Sequence, residues 1–175
     1  MNTSKTRKTP ILPDLLQPGL DIVFCGSAAS AVSAQKKAYY AGPGNKFWTI
    51  LFQVKLTPYQ FSPEEFGDLL NYKIGLTDMA KFFAGNDTGL RTDSDDPDAL
   101  YQKIKTFQPK FLAFVGKRSA KVFFKKKFGF TDIGYGIQNQ SIDLTKLFIL
   151  PSPSGLARRY WDFTPWKLLA DSVQK

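Results

Sequence analysis

Histidine is absent from the 175 residues, and cysteine occurs once, at Cys25. Without histidine no Ser-His or Cys-His nucleophile can be assembled. A single cysteine closes no internal disulfide and suits a reducing compartment. A cytoplasmic location is expected, at the nucleoid if the source is bacterial. The same shortage leaves no zinc site, and no spacing of carboxylates asks for another metal. Long apolar runs are missing too: none approaches the roughly 20 residues that span a bilayer. Met1–Pro13 lacks the apolar segment of a secretory signal. Acidic residues are the minority, 15 against 24 Lys and Arg, which gives +9 and a pI near 9.6. That balance favours a polyanionic partner, nucleic acid first and an anionic membrane surface second. Any acid-base chemistry falls to Asp, Glu, Lys or Tyr.

Hydrophobic residues make up 43% and aromatics 15% of the chain, enough for one domain with a real core. The expected division is a loose basic arm over 1–13 and a single domain over 14–175. Four apolar runs read as buried strands: Asp21–Cys25, Ile74–Thr77, Phe111–Val115 and Leu147–Leu150. Helical patterns lie between them. Phe47, Trp48, Ile50, Leu51 and Val54 share a core-facing helix. Ser62-Pro63-Glu64-Glu65 is a helix start, and further helices follow Pro97 and Gly116. Tyr135–Asn139 reads as a loop, and Trp161–Val173 as a closing helix. This alternation predicts an α/β fold of three layers, with a mostly parallel central sheet between helices.

Function gathers at the carboxyl ends of parallel strands. At the first, Gly26-Ser27-Ala28-Ala29-Ser30 is a small-residue loop. It either admits a ligand to the backbone or packs a helix closely. Tyr39 and Tyr40 precede the Gly42-Pro43-Gly44 turn, as core aromatics or as a stacking platform. The second strand leads to a loop that presents Asp78, either as a functional carboxylate or as the cap of a following helix. Asp87 sits in a Gly-Asn-Asp turn. The acidic run Asp93–Asp98 is expected to face away from a polyanion. Lys117 and Arg118 follow the third strand. After the fourth comes PSPSGLARR, residues 151–159. Here an apolar tip, Leu156, lies between small residues and Arg158-Arg159. It reads as a wedge with phosphate contacts, or as a plain strand-to-helix turn.

Taken together, LQPGLDIVFCGSAAS, AYYAGPGNKFW, YKIGLTDMAK, FQPKFLAFVGKRSAKVF and LPSPSGLARR resemble, in order, five segments of the uracil-DNA glycosylase superfamily. The resemblance is to its mismatch-specific uracil/thymine-DNA glycosylase branch, over nearly the whole chain. It implies a monofunctional glycosylase that flips uracil, or another deaminated or damaged base, out of DNA and hydrolyses the glycosidic bond without metal or cofactor. It implies double-stranded DNA as partner, with single-stranded DNA as a second substrate form, no membrane, and a monomer. Tyr40 matches the aromatic that stacks on the base. Gly26, Ser27, Ala28 and Ser152 match the base pocket, with Ser152 in place of an Asn. Ser154, Gly155, Leu156, Ala157 and Arg158 match the wedge, and Lys117 and Arg118 add phosphate contacts. The departure is at Ala28, where the family pattern GINPG has a catalytic Asn. Asp78 is then the expected catalyst, with Asp87 second. The competing expectation is a relative that binds mismatches or lesions and has lost chemistry with the Asn.

Overall fold

The computed structural model describes residues 8–86 and 88–174. Five strands form one sheet in the order β2-β1-β3-β5-β4. They are β1 (Ile22–Gly26), β2 (Ile74–Asp78), β3 (Phe111–Val115), β4 (Gly136–Ile142) and β5 (Thr145–Leu150). β2, β1, β3 and β5 run parallel, and β4 pairs antiparallel with β5. The helices are α1 (Ala31–Lys36), α2 (Phe47–Gln53), α3 (Pro97–Phe107), α4 (Lys117–Phe128) and α5 (Thr164–Val173). Three 3₁₀ segments join them, at Pro63–Tyr72, Thr92–Ser94 and Gly155–Tyr160.

The three layers follow from period-two burial in strands that are apolar on both faces. Ile22 and Phe24 of β1, with Ala113 and Val115 of β3, face a core built with Phe47 and Ile50 of α2 and Trp166 of α5. Val23 and Cys25, with Leu112 and Phe114, face the other way, against Leu100 of α3 and Phe123 and Phe124 of α4. Aromatic edges lock both sides: Phe24 meets Phe47 at 5.3 Å, and Phe114 meets Phe123 at 5.2 Å.

Three expectations need correction. The segment 135–139, read as a loop, is half of strand β4. Its side chains alternate between half-buried and exposed, so Gln138, Asn139 and Gln140 hide a strand that pairs along only one edge. Of the arm expected over 1–13, residues 1–7 lie outside the described residues, and residues 11–13 are tied to the domain. Ile11 N–H donates to Lys81 O at 2.7 Å, Leu12 is buried, and Leu15 exchanges backbone bonds with Leu76 at 2.9 and 3.0 Å. This apolar stretch covers the outer edge of β2, which would otherwise present open backbone groups. Finally, the helix expected after Ser62 is 3₁₀, though its start is as read: Ser62 N–H donates to the Glu65 carboxylate at 2.7 Å.

Candidate active site

The carboxyl ends of β1, β2, β3 and β5 open on one side of the sheet. Gly26 and Asp78 are register partners, the last residues of β1 and β2. The loops beyond them are stitched together: Met79 N–H donates to Gly26 O, and Ala80 N–H to Ser27 O, both at 2.8 Å. Asp78 is therefore a strand residue with fixed backbone. No helix follows it, so it caps none.

A cavity of about 420 Å³ lies over these ends. Its floor and walls include Ser27, Ala28, Tyr40, Asp78, Val115 and Ser152, and Ser154, Leu156 and Ala157 close its rim. Residues from four distant stretches of sequence thus meet in one place. Ser30, expected only as the end of the small-residue loop, also lines it, as do Asn45 and Asn86, which are not among the expected site residues. Ser30 caps α1 by accepting from Ser33 N–H at 3.0 Å, and Asn45 accepts from Phe47 N–H at 3.0 Å. Each is a turn residue by composition, and that composition masks a pocket role. Asp87 lies outside the described residues.

Asp78 is 6% exposed. Burial pushes its pKa up to about 6, while the nearby Lys81 ammonium pulls it down and the Asp14 carboxylate adds to the rise. An ordinary aspartate titrates near 3.9, so the shift is upward. The group is still mostly ionised at pH 7, and its protonated form is reachable in the physiological range. Gly26 makes room for it. A Cβ on Gly26 would lie 2.8 Å from Asp78 Oδ1 and 3.2 Å from the Tyr40 hydroxyl oxygen, with no slack in either direction. The Cys25 thiol beside it is buried, and burial raises its pKa well above the usual thiol value, so it is inert.

Tyr40 adopts a left-handed backbone, φ 52°, which turns its ring over Phe47 in a stack at 3.9 Å and 22°. One ring face is thereby covered by protein while the residue lines the cavity. Its hydroxyl is buried without a hydrogen-bond partner among the described residues.

The rim is built differently. Ser154 accepts from Leu156 N–H at 3.3 Å and starts a 3₁₀ segment, Gly155–Tyr160, that is kinked at Ala157. Ser152 Oγ accepts from Ser154 N–H at 3.3 Å. Gly155 rests on the Pro43–Gly44 backbone, where a Cβ would come within 3.3 Å of Gly44 O. Lys46 N–H donates to Pro153 O at 2.9 Å. The turn therefore leans on the loop that follows Tyr40 and holds Leu156 out in solvent, 87% exposed. Arg158 and Arg159 are exposed beside it.

Lys117 and Arg118 do not line the cavity. Lys117 Nζ sits 4.5 Å over the Tyr135 ring. Arg118 is engaged in a two-pronged pair with Asp95 at 2.8 and 2.9 Å. The Asp95 side chain is 1% exposed. Its planar fork matches a carboxylate well, so the expected phosphate contact becomes an internal tie, and the acidic run turns inward at Asp95. Among the described residues no group of three or more His, Cys, Asp or Glu could hold a metal, and no helix is long and apolar enough to cross a membrane.

The carboxylate at the strand ends and the exposed apolar tip thus line one cavity on one side of the sheet. The sequence model of the uracil DNA glycosylase superfamily matches residues 13–170, and the chain belongs to that superfamily. Its fold is similar to a solution structure from Methanosarcina acetivorans that carries the provisional name uracil DNA glycosylase. That likeness has a TM-score of 0.63 and 23% identity, over 96% of this chain and 99% of the other.

Proposed function

We propose that the protein is a monofunctional DNA glycosylase of the mismatch-specific type, acting on uracil in DNA with Asp78 as its catalytic group. The observation that carries this reading is the buried carboxylate of Asp78 at the cavity floor, across from the featureless Ala28. A nucleotide turned out of the duplex would enter beneath Leu156, which fills the gap in the stack. Its base would lie against the free face of Tyr40, near Ser27 and Ser152. As the bond from C1′ to the base nitrogen lengthens, its electron pair leaves with the base and positive charge grows on the sugar. An ionised Asp78 opposes that charge. It also accepts a hydrogen bond from the attacking water, whose oxygen bonds to C1′. The proton released passes by way of Asp78 to the departing base or to solvent. No cofactor enters these steps.

Ala28 favours one other reading, a lesion-binding relative without chemistry. A duplex carrying one uracil, incubated with protein, treated with alkali and run on a gel, separates the two. Strand scission at the uracil supports the glycosylase. Retained binding with an intact strand selects the binding relative.

A further inference from the structure

Behind the cavity wall lies a chain of buried charge that the glycosylase pattern does not account for. Lys81 is 8% exposed and does not line the cavity. Its ammonium lies 3.0 Å from Asp14 Oδ1 and 3.7 Å from Asp78 Oδ2, and it donates to the Tyr39 hydroxyl at 2.9 Å. Tyr39 in turn donates to Pro13 O at 2.9 Å. Asp14 accepts from Thr77 Oγ1 at 2.7 Å through Oδ1, and pairs with Lys103 of α3 at 2.6 Å through Oδ2. Two carboxylates and two ammonium groups thus alternate, Asp78–Lys81–Asp14–Lys103, and the row ends at Asp78.

The two oxygens of Asp78 are not equivalent in this arrangement. Oδ2 faces Lys81, whereas Oδ1 lies over Gly26 on the side of the Tyr40 hydroxyl. We propose that Lys81, anchored by Asp14 and Tyr39, is a positioning residue that turns Asp78 Oδ1 toward the reacting sugar by holding Oδ2 from behind. The proposal deepens the glycosylase reading and rests on it. A lysine held by two groups loses little further entropy when it orients a third. Removing it would leave the buried Asp78 and the partly buried Asp14 with a single remaining cation, Lys103. The chargeable groups around Asp78 are Lys81, Asp14 from the amino-terminal segment, Lys103 from α3, Cys25 of β1, and Tyr39 and Tyr40 from the loop before α2. Of these, Lys81 and Lys103 favour its charged form, and Asp14 opposes it.

The test measures the Asp78 carboxyl directly, by ¹³C NMR titration of the full chain, in wild type, Lys81→Met and Asp14→Asn. Lys81→Met is expected to move the Asp78 midpoint up by about one pH unit or more, and Asp14→Asn to move it down. Single-turnover rates on a uracil duplex should follow: Lys81→Met slower by roughly two- to tenfold at pH 7 through lost ionisation, with part of the rate recovered above pH 8 and the share lost with the orientation of Asp78 missing at every pH. A purely structural lysine would lower the rate at every pH and leave the midpoint in place, and that result overturns the proposal. A Lys81-dependent protein–DNA adduct trapped by borohydride also overturns it, since Lys81 would then reach the substrate. If Lys81→Met does not fold, Lys81→Gln and Asp14→Asn carry the same measurements. Opposite midpoint shifts beside a fully active Asp78→Ala protein would reject Asp78 as catalyst and leave the charge row as found.

Discussion

The floor and the rim of the cavity both depend on charge, but they hold it in opposite ways. At the floor, Asp78, Lys81 and Asp14 sit among strand ends, paired in a fixed order and largely out of water. At the rim, Arg158 and Arg159 stand in solvent on a kinked 3₁₀ segment beside a bare leucine. Buried charge is costly and little screened, so a single change there alters both chemistry and stability. Exposed charge is cheap and strongly screened, so changes there alter how DNA is met and hardly touch the fold. Lys117 and Arg118 look like rim residues in the sequence, and Arg118 behaves like a floor residue.

The largest effect expected is on chemistry at the floor. Asp78→Ala should abolish cleavage of a uracil duplex while the protein still folds and DNA binding stays near normal. Asp78→Asn should slow it about 10²–10³-fold if charge stabilisation dominates. Single-turnover rates check both, and an unimpaired Asp78→Ala enzyme would shift attention to Asp87.

Arg118→Ala sharpens the comparison next. It leaves Asp95 buried without its cation, and a loss of about 3 kcal/mol is expected in urea unfolding. A neutral result, with a weaker salt dependence of DNA binding instead, would return Arg118 to the rim.

Asp78→Asn should also stabilise the protein. The folded-state pKa of about 6 lies above the ordinary value of 3.8, so ionised Asp78 costs stability. That cost is full above pH 6, shrinks as pH falls from 6 to 3.8, and is gone below. The variant should therefore gain up to about 3 kcal/mol at pH 7, seen as a melting temperature several degrees higher. The gain should vanish near pH 4. A gain independent of pH would contradict the burial cost.

At the rim, Leu156→Ala should slow cleavage of paired uracil about tenfold, the worth of one lost apolar contact in the stack. Single-stranded uracil should be nearly unaffected, because no stack has to be opened. Melting temperature should hold, since an exposed tip leaves no cavity.

The smallest effect is electrostatic. Binding to duplex DNA should weaken with salt, and replacing Arg158 and Arg159 by Ala should reduce the log-log slope by up to about 1.8. An unchanged slope would mean that neither arginine meets a phosphate.

Legibility in the sequence follows the same division. The four parallel strands declare themselves because both faces are buried and their apolar runs are unbroken. β4 does not, because one of its faces is wet and GIQNQSI reads as polar. Asp78, Tyr40 and Leu156 could be picked out because strand ends and small-residue turns have recognisable chemistry. The Arg118–Asp95 tie could not, since nothing local distinguishes an arginine that finds a carboxylate 23 residues away. The same holds for Asp14, which reaches Lys81 only after the amino-terminal segment has covered the β2 edge. The raised pKa of Asp78 belongs to this group as well. Burial is set by the layers above and below, and one strand of sequence does not contain it.

The contact between Pro153 and Lys46, with Gly155 resting on Gly44, has a mechanical consequence. It makes the two loops a strut rather than a pair of springs. On the proposed reading, force applied by a duplex to Leu156 would pass into the segment behind Tyr40, so that penetrating the helix and gripping the extracted nucleotide would share one stiffness.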